Sequence, residues 1–433
     1  MKKLVYITFL VCFCSTAAWA QSEDNKAKSS SVYSKLGVGF PVSSANTAAH
    51  SMGLTGVSFN ETYVPSIANP AHWGNIVYGL GSGGVKLETF SAKDRNGSAT
   101  NSQFAINRFQ LQLPVYRGKF GVSASFTPLT EARFRTYREG VKYTGEGAMR
   151  DTLAYGIENK GSGGLNRAEL GFGWQITPHI SVGYAASAVF MSLDDTFSSF
   201  YGSSEYIPVS YTLETSGVGF GNRIGTYFRL PKLFGEDDQL GIGATVSLPV
   251  TIDAKREQTS KQSRQTITLT DSPNLGDGSI TMPLSIDAGI SYWASELTMF
   301  AAEGSFEQWS NYENDFKPSE GAYFTDRYKM GLGFQYFPYI TGSNKFLSYF
   351  KYRLGASYDT GHLEIQGNQI NTLKFSLGLG IPSPQSNSNS SIDLSLEYGI
   401  RGTKSDNLVK EQIWGVRLTV NLAEIMFFRP KLQ

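Results

Sequence analysis

The chain has 433 residues, including 46 Gly, and a formal net charge of +1. Charged residues make up 17% of it and aromatic residues 13%. The charged share is well below the ~25% usual in soluble domains. A near-zero net charge provides no field to hold a phosphate backbone, so nucleic-acid binding is not expected. Few charges combined with many Gly and aromatic residues favour an all-β protein.

The first twenty residues have the pattern of a secretory signal peptide. Lys2 and Lys3 form a basic start, an apolar run follows over 4–14, and Ala18-Trp19-Ala20 is a typical cleavage site. The apolar run is too short to span a bilayer core of ~30 Å. We therefore expect residues 1–20 to be removed and the mature chain to begin at Gln21.

Cleavage at this site also removes both cysteines, Cys12 and Cys14. A mature chain without thiols excludes disulfides, Cys-ligated metals and Cys nucleophiles. An exported protein of this size then depends on hydrogen-bonded architecture and burial.

The mature chain alternates apolar and polar residues with a period of two. In 240–252 the apolar residues are Leu240, Ile242, Ala244, Val246, Leu248, Val250 and Ile252. The same alternation recurs over 280–292, 392–400 and 414–422. One face of each predicted strand is therefore apolar, and the other is small, polar or charged.

The length of these runs separates a membrane barrel from a soluble sandwich. Soluble strands average 5–6 residues, whereas these runs often exceed the ~10 residues that a tilted strand needs to cross an outer membrane. A closed antiparallel barrel satisfies every backbone group in lipid. The sequence therefore predicts a transmembrane β-barrel over 75–422, followed by a periplasmic tail over 423–433.

Fourteen strands are predicted, an even number as in single-chain bacterial barrels. They are expected at about 75–90, 103–114, 120–135, 164–176, 180–198, 209–230, 239–256, 279–293, 297–312, 325–338, 347–366, 371–382, 391–403 and 411–422. Short connections alternate with long ones near 136–163, 257–278 and 313–324, which places both ends of the barrel in the periplasm. Segment 136–163 is either a long loop, an extra hairpin or a strand that continues above the membrane.

The residues before the first strand, 21–74, form a separate segment. Residues 21–31 are polar, and 41–72 are rich in Ser, Ala and Gly without clean alternation. Fifty residues are too many for a simple leader. We expect either a periplasmic extension or a hatch folded into the barrel lumen.

Two strings in this segment carry a family resemblance. Residues 51–59 read SMGLTGVSF, and residues 67–71 read IANPA directly before the first strand. Together with the strand count, this order resembles the FadL-type outer-membrane transporters. Those are fourteen-stranded barrels with an N-terminal hatch, and they import long-chain fatty acids or aromatic hydrocarbons.

The resemblance identifies Asn69, Pro70 and Ala71 as the hatch motif. Read from the residues alone, Pro70 fixes φ and biases Asn69 away from the helical region. The motif therefore predicts a turn or a helix start. A simple hatch-to-strand turn is at least as probable a role as ligand contact, and the substrate-binding residues stay unknown.

Residues that could support catalysis or metal binding are sparse. The four histidines, His50, His72, His179 and His362, show no metal-ligand spacing. His362 is expected on a membrane strand near the outer rim, without an acidic partner for a hydrolase. The string GLGSGG at 79–84 precedes no helix, which argues against a dinucleotide site. We expect no enzyme, no metal and no cofactor.

Charged side chains on the polar face of the last strands predict an ion-pair ladder in the lumen. A turn centred near Asn407 would set Glu397 opposite Arg417, with Lys374 nearby on the other neighbouring strand. Opposite charges on adjacent strands stabilise their pairing. A structural role for Lys374, Glu397 and Arg417 is therefore favoured over a pathway for charged substrate.

These observations lead to one main hypothesis and two alternatives. The main one is passive uptake of hydrophobic small molecules through a plugged barrel in the outer membrane of a Gram-negative bacterium, by a monomer in contact with outer-membrane lipid. The alternatives are a general diffusion porin and an outer-membrane platform that docks or carries secreted surface proteins.

Overall fold

A computed structural model describes residues 30–95, 97–144, 151–203, 205–262, 265–269, 275–316, 322–339, 345–383 and 389–424. The expected signal peptide, 1–20, lies outside the described residues, and so does all of the expected tail beyond residue 424. Within the described ranges no helix is long and apolar enough to cross a membrane.

The described ranges contain fourteen antiparallel strands that form a closed barrel, as predicted. The strands are β1 (Gly79–Lys93), β2 (Ser98–Tyr116), β3 (Phe120–Pro128 and Phe134–Thr144), β4 (Asp151–Thr177), β5 (Ile180–Tyr201), β6 (Val209–Pro231), β7 (Gln239–Ser247 and Val250–Gln262), β8 (Gly276–Met282 and Ser285–Trp293), β9 (Thr298–Glu307), β10 (Arg327–Tyr336), β11 (Lys351–Asp359), β12 (Thr372–Pro382), β13 (Ser391–Arg401) and β14 (Lys410–Glu424). The first strand pairs with the last, from Gly79 opposite Glu424 to Lys93 opposite Lys410. This pairing closes the ring within one chain.

Burial alternates along the strands as the sequence predicts. On β13, Asp393 is 1% exposed and Leu396 is 51% exposed, and on β14, Arg417 is 2% and Trp414 is 60% exposed. The polar face therefore lines the lumen, and the apolar face forms a belt that matches membrane lipid.

Three strands are interrupted. β3 leaves the wall between Pro128 and Phe134, and β7 and β8 are broken at 248–249 and 283–284. The first interruption differs from the expected continuous strand at 120–135. It arises because residues 129–133 turn inward and pair with the N-terminal segment.

The described parts of segment 136–163, one of the three expected long loops, continue two strands. The second part of β3 runs to Thr144, and β4 starts at Asp151 and pairs with it from Thr144 opposite Asp151 to Phe134 opposite Gly161. The interpretation as a strand extended above the membrane is therefore the correct one.

These strands rise well beyond the lipid-facing belt. β4 has 27 residues, far more than the ~10 needed to cross the membrane. Its outward side chains are apolar at Leu170 and Phe172 but polar at Glu158. The upper parts of β3, β4, β5, β6 and β7 therefore form a sheet outside the membrane, which we call the outer sheet.

Short elements fill the barrel and cover its outer end. The N-terminal segment contains a 3₁₀-helix, Val32–Lys35, a two-residue strand, Phe40–Pro41, an α-helix, Thr47–His50, and a second 3₁₀-helix, Pro70–Asn75. At the outer end, Ala322–Phe324, Leu363–Ile365 and Asn368–Gln369 form a small sheet, and the 3₁₀-helix Trp309–Asn311 adjoins it. Further short elements are the strands Thr130–Glu131, Gln265–Leu269 and Glu313–Asn314 and the 3₁₀-helices Phe346–Tyr349 and Ser405–Asn407.

His362 was expected on a membrane strand, and this was wrong. β11 ends at Asp359, and His362 lies beyond it, fully buried between the rings of Phe40 and Trp309.

Candidate functional site

The N-terminal segment lies inside the barrel as a hatch, described from Ser30 to Gly74. A row of four glycines on neighbouring strands makes room for its lower end. Gly121, Gly173, Gly183 and Gly225 are paired in that order across β3, β4, β5 and β6. An added Cβ at Gly183 would lie 2.2 Å from the Pro70 carbonyl carbon. The wall and the hatch backbone therefore approach as closely as only glycine permits.

The motif Asn69-Pro70-Ala71 starts the 3₁₀-helix that contacts this row. The Asn69 Oδ1 atom accepts a 3.0 Å hydrogen bond from the Ala71 N–H, and Pro70 occupies the first helical turn. The Asn69 amide also donates to the carbonyls of Val57 and Thr226, at 3.0 and 2.9 Å. The motif is therefore a helix start, one of the two predicted local structures, and it also joins the hatch to β6.

Glu303, on β9, binds a turn of the hatch that the sequence did not single out. Its carboxylate accepts four hydrogen bonds of 2.7–2.8 Å, from the Thr55 hydroxyl, the Gly56 N–H, and the Ser58 N–H and hydroxyl. Glu303 is 6% exposed. Hydrogen bonds to a buried carboxylate are among the strong ones, so Glu303 is a principal attachment of the hatch.

The carbonyls of residues 66–68 are bound from two other sides. The Ser66 carbonyl accepts hydrogen bonds from the side-chain amides of Gln110 and Gln112, at 2.8 and 2.7 Å. The Arg223 guanidinium donates to the carbonyls of Ile67 and Ala68, at 2.6 and 2.8 Å. Backbone groups that the short hatch elements leave unpaired are thus satisfied by the barrel wall.

The three residues of the expected ladder are close together, with a register that differs from the expectation. Glu397 lies opposite Gly415, and Arg417 lies opposite Ser395, two residues from the expected pairing. The side chains still meet: Arg417 Nε lies 2.8 Å from Glu397 Oε1, and Lys374 Nζ lies 3.8 Å from Glu397 Oε2. A diagonal offset of two residues is within reach of long side chains.

The hatch joins this group of charges. His50 Nε2 lies 2.6 Å from Glu397 Oε1, and an Arg417 Nη1 donates to the Ser43 carbonyl at 3.2 Å. Burial is the largest effect on the pKa of His50. It lowers that pKa to about 4, aided by Arg417 and opposed by Glu397. A neutral imidazole therefore donates its N–H to the carboxylate.

His72 is the second buried histidine of the hatch. Its Nδ1 lies 2.9 Å from the Ser66 hydroxyl, and its ring meets Tyr227 edge-on with centroids 4.6 Å apart. Burial lowers its pKa to about 3. Both hatch histidines are therefore uncharged at neutral pH.

The inward turn of β3 brings the barrel wall to the upper part of the hatch. Phe40 and Pro41 pair with Glu131 and Thr130, and the Val42 N–H donates to the Leu129 carbonyl at 2.9 Å. Glu131 in turn meets Lys86 Nζ at 2.9 Å and the Gln103 amide at 2.9 Å. The place that β3 vacates in the wall is therefore lined by hatch backbone and by a buried ion pair.

A cavity of about 240 Å³ lies between the hatch and the wall beside this turn. Its lining has an apolar side and a charged side. The apolar side includes Leu129, Val189, Leu248, Val250, Met282 and Trp309, and the charged side includes the basic residues Arg167, Arg223, Arg327 and Lys329 and the acidic residues Asp287 and Glu307. Two smaller cavities of about 50 Å³ have mixed polar and apolar linings and share Pro41 and Ser43 with the large one. Free space thus surrounds the hatch near Pro41–Ser43.

Within the described ranges no group of three or more His, Cys, Asp or Glu residues is arranged to hold a metal ion.

The residues that sequence reasoning missed are Glu303, Glu131 and the cavity lining. Single acidic residues on polar strand faces give no signal of their partners, because the partners are hatch atoms far away in the chain.

The fold and the buried hatch together define an integral β-barrel of an outer membrane whose lumen contains its own N-terminal segment. The BamG family model matches residues 1–433, and the chain belongs to that family. No curated protein matches the chain.

Solved structures with this fold include FadL-type proteins. A FadL homologue from Pseudomonas aeruginosa is 12% identical, with a TM-score of 0.59 over 89% of this chain and 99% of that one. The toluene transporter TbuX of Ralstonia pickettii is 15% identical, with a TM-score of 0.54 over 88% of this chain and 98% of that one. The monoaromatic hydrocarbon channel CymD is 16% identical, with a TM-score of 0.52 over 88% and 97%. The expected resemblance to FadL-type transporters is confirmed at the level of fold.

Proposed function

We propose that this barrel carries hydrophobic small molecules across the outer membrane without an energy source. The observation that carries the proposal is the cavity of about 240 Å³ beside the inward turn of β3. An apolar cavity of about 150 Å³ already holds benzene, so the space along the apolar side of this larger cavity is sufficient for a one- or two-ring aromatic compound or a short apolar chain. The toluene transporter TbuX and the monoaromatic hydrocarbon channel CymD, which share this fold, act on molecules of the same chemical class.

The hatch supports passage by displacement over a permanent pore. Glu303, Arg223 and Gln110 bind hatch backbone groups from three sides of the lumen. The general diffusion porin is therefore not favoured. Movement of the hatch near Pro41–Ser43, where free space surrounds it, would release a molecule from the cavity toward the periplasm. The barrel closes within one chain, which supports a monomer embedded in outer-membrane lipid.

Deletion of residues 41–72 tests this proposal. We expect the deleted protein to assemble as a barrel, because the β1–β14 pairing starts after the deletion, and to conduct ions in planar bilayers, because the lumen loses its plug. The intact protein should conduct little while still admitting a neutral fluorescent naphthylamine into cells. A charged dye of similar size is the control for leakage. Equal conductance of the two proteins would contradict the plug.

The outer sheet gives one specific reason to keep the docking platform as a second candidate. Its outward face bears Tyr137, Val141 and Phe200, which are 58%, 58% and 45% exposed above the lipid-facing belt. Exposed aromatic side chains on a rigid sheet are typical of protein contacts. Uptake that persists after polar replacement of these three residues, together with loss of a co-purifying surface protein, would separate the two functions.

A further inference from the structure

Two prolines lie opposite each other in neighbouring strands of the barrel wall. β7 and β8 pair up to Ser247 opposite Ser285 and again from Val250 opposite Met282. The register is the same on both sides of the interruption. It therefore places Pro249 opposite Pro283.

No backbone hydrogen bond crosses this break within the described part of the chain. Proline has no N–H. The Leu248 N–H donates away from β8, to the Asn222 carbonyl on β6 at 2.9 Å, and the Leu284 carbonyl accepts from the Gln308 N–H at 3.0 Å. From Ser247 to Val250, a distance of three residues or about 10 Å, β7 and β8 therefore run side by side without a backbone hydrogen bond between them. Separating the two strands at this level therefore breaks no hydrogen bond between them.

The break also changes which side chains face the lumen. Below it the lumen-facing residues are odd-numbered, as at Thr245, which is 2% exposed; above it they are even-numbered, as at Ile252 and Ile280, which are at most 1% exposed. Proline is rare inside central strands because it removes a ladder bond, and unpaired backbone groups are costly next to lipid. Two prolines opposite each other in neighbouring strands therefore weaken the wall at this level.

The break borders the cavity directly. Ser247, Leu248, Val250, Met282, Pro283 and Ser285 are part of the cavity lining, yet Leu248 is 42% exposed. On the lipid side, Ile242 and Ile286 lie below the break, and Asp253 faces outward above it. The break therefore connects the cavity with the outer edge of the lipid-facing belt.

We propose that the Pro249–Pro283 break is a lateral port between the cavity and the outer leaflet of the membrane, at a place distinct from the inward turn of β3. What passes through it, neutral apolar molecules of one or two rings, rests on the proposed function. The port itself rests on the strand register, the missing hydrogen bonds and the position of the cavity. On the lumen side of the break, the Val250 side chain packs against Gly219 and Gly221 of β6.

Labelling from the lipid phase tests the port without any transport assay. Met282→Cys and Ile280→Cys both place a thiol on the lumen side of β8, the first beside the break and the second beside the intact ladder. In vesicles that contain a pyrene maleimide dissolved in lipid, Met282→Cys should react several-fold faster. Restoring the two N–H groups with Pro249→Thr and Pro283→Thr should remove the difference. Equal rates in the native wall would overturn the port.

A disulfide across the break then tests passage. Residues directly opposite in antiparallel strands have Cα atoms close enough for a disulfide. Pro249→Cys with Pro283→Cys should slow uptake of the neutral naphthylamine, with recovery after reduction. Thr251→Cys with Thr281→Cys is the matched control, because these residues are paired in the intact ladder and their hydroxyls lie 3.2 Å apart.

The outcomes separate the two proposals. Uptake slowed only by the proline-site disulfide supports the port. Equal uptake by both oxidised proteins overturns the port and leaves the proposed function intact, because passage then takes another route. No uptake by the native protein contradicts the proposed function, and the labelling rates then decide on the port alone.

Discussion

Glu397 is the acceptor on which Arg417, Lys374 and His50 converge. It is 5% exposed, so the charges it balances have little access to water. Removing one partner of a buried ion pair costs roughly 3–5 kcal/mol, because the remaining charge is uncompensated. Its role is therefore best measured by neutralising it.

We expect Glu397→Gln to lower the free energy of unfolding from lipid vesicles, because Arg417 and Lys374 lose their counter-charge. A double-mutant cycle with Arg417→Gln should give a coupling of about 0.5–3 kcal/mol. Glu158→Gln is the control: it breaks the exposed pair with Arg135, and such pairs contribute about 0–1 kcal/mol. Additive effects of the two lumen substitutions would show that water screens the pair.

The two hatch histidines predict a pH dependence. Their pKa values of about 4 for His50 and about 3 for His72 lie below the ordinary 6.5. A released hatch thus binds more protons than a docked one as pH falls through 6.5, so docking weakens with acidification. The loss of docking free energy grows until the pH reaches the pKa values that the two histidines have in the docked hatch.

Conductance in planar bilayers measures this dependence. It should rise as pH falls from 6.5 to 4, and the rise should shrink in the His50→Gln, His72→Gln protein. His179→Gln is the control, because His179 is exposed in the turn between β4 and β5. If the rise in conductance is unchanged in the double variant, groups other than His50 and His72 cause the pH dependence.

At the scale of elements, the hatch turn at Thr55–Ser58 depends on one strand residue. Glu303→Gln keeps the shape of the side chain but removes its charge, and each charge-assisted hydrogen bond contributes about 1.5–3 kcal/mol. We expect faster hydrogen exchange at the Gly56 and Ser58 amides and brief conducting events, with unchanged thermal stability of the barrel. Exchange as slow as in the native protein would show that the turn is held by other contacts.

The regular strands could be predicted from sequence, and the irregular ones could not. Alternation over 392–400 and 414–422 identifies β13 and β14 because one face meets lipid and the other meets the hatch. The inward turn at 129–133 carries no such signal, since Leu129 and Glu131 fit an ordinary strand. Their inward path is fixed by Val42 and Phe40, about ninety residues earlier in the chain.

The same limit applies to the candidate site. The proximity of Lys374, Glu397 and Arg417 could be predicted because they lie on three consecutive strands, but the predicted register was wrong by two residues. The paired prolines are visible in the sequence as Leu248-Pro249 and Pro283-Leu284, but their alignment depends on a register that the long 257–278 connection conceals. β7 extends into this expected loop as far as Gln262.

At the scale of the whole molecule, the position of the membrane is a direct prediction. Leu170 and Glu158 lie on the outward face of β4, the first in the lipid-facing belt and the second in the outer sheet. On intact cells, a water-soluble maleimide should label Glu158→Cys quickly and Leu170→Cys slowly, while a lipid-soluble reagent should show the opposite preference. Leu418→Cys and Thr419→Cys extend the test across the wall. Labelling of Thr419→Cys from lipid would show that the inside and outside faces of the wall are assigned the wrong way round.

The attachments of the hatch also constrain the order in which the protein is built. Ser58 bonds to Glu303, 245 residues later, and Thr47 bonds to Thr419, 372 residues later. The hatch is synthesised first, yet these bonds cannot form until most strands exist. Contacts so distant in sequence make folding slow. The hatch therefore gains its full set of contacts only once the strands that carry Glu303 and Thr419 are in place, and β14 both completes the wall by pairing with β1 and binds the segment that the wall encloses.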